Sequence, residues 1–149
     1  MKLSHAIVIS VLSGTAFAGA AVAQDSAIDF ELPKACVQAA GHMGAMMGEM
    51  GDMDTMMKSM EGHMSEAGKG YMQAIIDMHP PMVEGAMAGD ADLAFNCSMI
   101  AHHKGAIAMA KVQLQYGKDQ QVKALAQEII DEQLKEVDQM TKWIEATAK

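Results

Sequence analysis

The chain has 149 residues, half of them hydrophobic, with 19 acidic residues, 11 lysines and no arginine, for a formal charge of −8. So acidic a chain lacks the basic footprint of a nucleic-acid binder, and its length fits a single small domain. Seventeen methionines beside six histidines and two cysteines direct attention to soft metals, because thioether and imidazole suit Cu(I) or Ag(I) better than they suit calcium, magnesium or a phosphate.

Residues 1–23 read as a secretory signal: Lys2 supplies the positive start, Ala6 to Ala20 an apolar stretch, and Ala21-Val22-Ala23 an A-x-A cleavage site. No run of about twenty strongly apolar residues persists, which speaks against a membrane anchor. The expectation is a chain cut after Ala23, exported to the periplasm, and not inserted in the membrane after cleavage. Losing Lys2 makes the mature chain more acidic still. That surface favours cations weakly, but it is also an ordinary soluble surface.

Residues 24–66 comprise a polar lead to Pro33 and then a methionine-rich arm. Cys36 and Cys97 would meet an oxidising compartment, which favours a disulfide between them; free thiolates binding soft metal are the alternative. From His42 onward come Met43, Met46, Met47, Met50, Met53, Met57, Met60, His63 and Met64, with Met56 besides. On a helix all of these methionines but Met56 share one face. A core stripe, a soft-metal surface and a peptide-binding groove would each use such a face. Against core stands the lack of any Leu, Ile, Val or Phe in residues 42–64, and the presence of Gly44, Gly48, Gly51 and Gly62. Each glycine costs a helix about 1 kcal/mol against alanine, and flexible thioethers make an adaptable ligand surface.

Residues 67–149 read as the helical bundle core, without the alternating β-branched runs or hairpin turns of strands. Tyr71, Ile75, Met78, His79, Met82, Val83 and Ala86 form an apolar stripe at helical spacing. Pro80-Pro81 removes two amide donors from it, so the helix is kinked there or a new one begins. The next helix starts at Asp90, its N-cap, and runs to Tyr116. Gly117 suits C′, and Asp119 caps a last helix to about Thr147. So short a turn makes these two an antiparallel hairpin.

On the hairpin's first helix Phe95, Met99, His102, His103, Ala106 and Ala110 share a face, which directs both histidines to the bundle interior or its edge. The last helix carries a stripe of Val122, Leu125, Ile129, Met140, Trp143 and Ile144, interrupted by Gln133 and Glu136. A buried carboxylate is costly unless hydrogen-bonded. Either Glu136 accepts from a histidine ring, leaving the other ring nitrogen free for metal, or it reaches water at the stripe's edge. Short connections would set His79 and Met82 against Met99 and one of His102 and His103, the remaining histidine pairing with Glu136.

The stretch Met78-His79-Pro80-Pro81-Met82-Val83-Glu84-Gly85, then Asp92 to Phe95, then Met99-Ile100-Ala101-His102-His103-Lys104-Gly105-Ala106-Ile107-Ala108-Met109-Ala110 resembles the family named domain of unknown function three hundred and five. So does Leu125-Ala126-Gln127-Glu128-Ile129-Ile130 with Gln133, Glu136, Met140 and Trp143. The resemblance covers residues 71–144. It implies an all-α, antiparallel, ferritin-like helical bundle, here preceded by the Met-rich N-terminal helical arm, and, from copper-binding members, periplasmic copper binding and resistance. Matched by position, His79, Met82, Met99, His102, His103 and Met109 are the motif residues. Cys97 stands where relatives carry another residue, and the arm lies outside the matched core.

Metal binding without catalysis is therefore the expected function: Cu(I), with silver as its analogue, held for sequestration, trafficking or resistance. A di-iron enzyme needs Glu-x-x-His pairs, and none occurs in the sequence. A blue-copper carrier needs cysteine and histidines on one ion, yet Cys97 and His102 lie about 140° apart on the helical wheel. The alternative is a Met-rich interaction module that docks a copper-export or copper-delivery protein.

Overall fold

The structure, a computed structural model, describes residues 28–41, Thr55, Ser59 and 61–147. The signal segment and Met43, Met46, Met47, Met50, Met53, Met57 and Met60 of the arm lie outside the described residues. His63 ends a short 3-10 turn, Glu61–His63, and Met64 just beyond it is half-buried.

Among the described residues four α-helices make an all-α bundle: α1, Lys34–Ala40; α2, Glu66–Ala86; α3, Ala91–Tyr116; and α4, Gln120–Thr147. Side chains that accept from otherwise free N-terminal amides start three of them. Ser65 Oγ accepts from Gly68 N at 3.1 Å, Asp90 Oδ1 from Leu93 N at 2.9 Å, and Asp119 Oδ1 from Gln121 N at 2.8 Å. No new helix begins at Pro80 and Pro81, which lie inside the single span of α2. Gly117 closes α3 with φ −64° and ψ 150°, not the expected left-handed C′ geometry. Its extended backbone carries the chain straight into the Asp119 cap.

α3 is the central helix, packed against both α2 and α4. The α2–α3 seam is unusually close. A Cβ on Gly85 would lie 2.6 Å from the Cys97 carbonyl carbon and from Ser98 N, and one on Gly70 would lie 2.9 Å from Val112 Cγ2. Backbone thus meets backbone at one end and side chain at the other, in antiparallel register, with Tyr71 Oη donating to Gln113 Oε1 at 2.8 Å.

The N-terminal segment covers one side of this layer. Leu32 and Cys36 join Cys97, Ile100, Ala101, Met140 and Ile144 in the larger core cluster, while Ile28 packs on Ile107, Ala110, Ala126 and Ile130. Cys36 and Cys97 are disulfide-bonded, with Cα atoms 5.6 Å apart, so neither offers a thiolate. Lys104 Nζ donates to Glu31 O at 2.8 Å; burial lowers its pKa from the ordinary lysine value, partly offset by Asp29 and Glu31.

The other side of α3 is open among the described residues. Tyr71, Ala106, Met109, Ala110, Gln113, Val122, Leu125, Ala126 and Ile129 line a groove there of about 270 Å³. Val122, Leu125 and Ile129, expected in the core stripe, are exposed. Ala106 and Lys104 differ by about 200° around α3, so the groove and the face that carries Lys104 lie on different sides of the helix.

Candidate metal centre

The seam between α2 and α3 sets the geometry. The Met78 sulfur rests on Gly105, where a Cβ would collide with it. Met78 therefore lies against the middle of α3, and the Gly85–Cys97 contact fixes the antiparallel register. By that register Met82 is level with Ala101, and it packs on the core cluster containing Ala101. His102, three residues before Gly105, leaves α3 on the flank beside α2, with Met99 one turn earlier. Met78, Met82, Met99 and His102 thus lie at one level of the bundle, within about 9 Å along the helix axis, the rise from residue 99 to 105. Met82 and Met99 are half-buried and His102 is exposed, which leaves the donors reachable from solvent.

His79 is exposed, as His102 is, and is rotated by about 100° from Met78, the residue that takes the position against α3. Met109, two turns beyond His102, lines the apolar groove. His63 is exposed before α2, and no contact places it at the seam.

The two adjacent histidines serve different neighbours. Their rings are T-shaped, with centroids 5.9 Å apart. His103 turns to α4, where Nε2 lies 2.8 Å from Glu136 Oε2. The same oxygen accepts from Gln133 Nε2 at 3.1 Å. A carboxylate accepts, so Nε2 of His103 donates, and in a ring with one proton Nδ1 keeps its lone pair. That Nδ1 is buried without a hydrogen-bond partner. Both alternatives for Glu136 meet in one arrangement: it bonds the ring while its side chain remains 51% exposed.

Gly105 and Gly85 are the site-shaping residues that the stripe pattern misses, because apolar periodicity counts side chains and these act by lacking one. Among the described residues no three His, Cys, Asp or Glu side chains converge on a point. A site on these helices must draw on methionine sulfur to reach three donors. The sequence profile of the family described as Domain of unknown function (DUF305) matches residues 23–144. No curated protein matches the chain.

Proposed function

For a chain that belongs to this DUF305 family, whose description assigns no activity, we propose binding of Cu(I), or Ag(I) in its place, without catalysis, for copper sequestration, trafficking or resistance in the periplasm. The observation that carries the reading is the α2–α3 seam, where Met78 is held on Gly105 next to the turn bearing His102. Thioethers from two helices and an imidazole suit a soft monovalent ion. The residues that reading uses are Met78, Met82 and His102, with Met43 to Met64 of the arm adding capacity in its sequence pattern. Export agrees with the Cys36–Cys97 disulfide, a bond that persists in oxidising compartments. No helix among the described residues is long and apolar enough to cross a membrane.

The test is desalting after incubation with Cu(I) under anaerobic conditions, Ag(I), Zn(II) and Fe(II) in parallel. Retention of the two monovalent ions and loss of the other two is expected; equal retention of all four would overturn the proposal. The exposed Phe95, Val122, Leu125 and Ile129 favour a second reading, a module that docks a copper-export partner. Partner binding by the metal-free chain would support it.

A further inference from the structure

We propose a second soft-metal site, buried between α3 and α4, in which Nδ1 of His103 and the thioethers of Met99 and Met140 hold one Cu(I) or Ag(I) ion; it rests on the reading of this chain as a soft-metal binder. His103 is only 8% exposed, and its hydrogen bond to Glu136 directs the lone pair of Nδ1 into protein rather than water. A buried acceptor without a donor is unfavourable and calls for a partner.

Helix geometry locates that lone pair. Side chains on an α-helix lean over the preceding turn, which places the ring of His103 over the turn carrying Met99. Across the interface, the His103–Glu136 bond and the antiparallel run of α4 put residue 140 level with residue 99, four residues along each helix. Met140 is 9% exposed within the cluster of Ile100 and Ala101, and Met99 packs on that same cluster. Two thioethers thus lie at the level of the ring of His103, on the two helices that meet there.

The chemistry selects the ion. A donor set of two sulfurs and one nitrogen fits a monovalent soft cation in trigonal coordination and gives a hard divalent ion no oxygen. Glu136, bonded to the far side of the ring, balances the added positive charge and raises the basicity of Nδ1. Met140, which packs as core in the metal-free fold, becomes a ligand on loading.

The deciding measurement is long-range proton–nitrogen NMR of the full chain, labelled with ¹⁵N and titrated with Ag(I), alongside the near-isosteric Met140→Leu variant. The His103 Nδ1 resonance should shift and acquire coupling to silver while Nε2 keeps its proton. Met140→Leu should bind one ion fewer than the parent, whereas Met72→Leu should match it. Silver bound with His103 Nδ1 unmoved, or with the Met140→Leu count unchanged, overturns this site and leaves the soft-metal reading standing. No silver bound at all overturns both. Should Met140→Leu fail to fold, the His103 resonances of the parent chain still decide.

Discussion

A histidine tied through one nitrogen to a carboxylate offers the other as a lone pair, and at His103 the tie is the 2.8 Å contact to Glu136. Outer partners of this kind govern affinity, so Glu136→Ala should weaken Cu(I) binding at the His103 site by roughly tenfold or more. Because Glu136 is half exposed, its loss should cost the metal-free fold only about 1 kcal/mol. Competition with a Cu(I) chelator and a thermal melt of the same variant separate the two effects. Equal losses in both would make the pair structural. Gly105→Ala tests the other flank: its Cβ would collide with the Met78 sulfur and lie 3.0 Å from Met78 Cβ, so the Met78 side chain should be displaced and seam binding weaken. A Gly105→Ala chain that binds Cu(I) as tightly as the parent would remove Met78 from the site. That one histidine of the pair would meet Glu136 was legible from the polar break in the last stripe. Which one was not, because His102 and His103 differ only by about 100° of rotation, and the choice waits on the register of α3 against α4.

At the scale of elements, close approach of α2 to α3 depends on Gly85, where an added Cβ would strike the Cys97 and Ser98 backbone. Backbone cannot move aside as a side chain can. Gly85→Ala should therefore destabilise the chain by about 1–3 kcal/mol, read as a lowered denaturation midpoint, and an unchanged midpoint would mean that the helices separate at no cost. The disulfide ties the N-terminal segment to α3 across a sequence separation of 61 residues. By loop entropy its removal should cost about 4 kcal/mol. The double Cys36→Ser, Cys97→Ser variant should melt well below the oxidised parent and show faster amide exchange at residues 31–36. Helix starts were readable because Asp90 and Asp119 declare themselves chemically at the caps. The path of α2 through Pro80-Pro81 was not. Two lost amide donors say that a helix is weakened, whereas contacts on either side, Met78 on Gly105 and Gly85 on Cys97, hold one helix across them.

For the molecule as a whole, the all-α class followed from apolar spacing, but the inside of the bundle did not. Val122, Leu125 and Ile129 carry the spacing of a core stripe and are exposed, since periodicity identifies an apolar face without naming what covers it. Leu32, in a stretch whose sequence reads as a polar lead, joins the core instead, beside Cys36. The functional claim rests on donor type: sulfur and imidazole gathered where α2, α3 and α4 meet. X-ray absorption at the copper edge of the anaerobically Cu(I)-loaded chain tests that most directly. The account predicts a copper shell of sulfur with a smaller contribution from imidazole nitrogen, at a coordination number of about three to four. A shell of oxygen and nitrogen alone, with no sulfur, would contradict it.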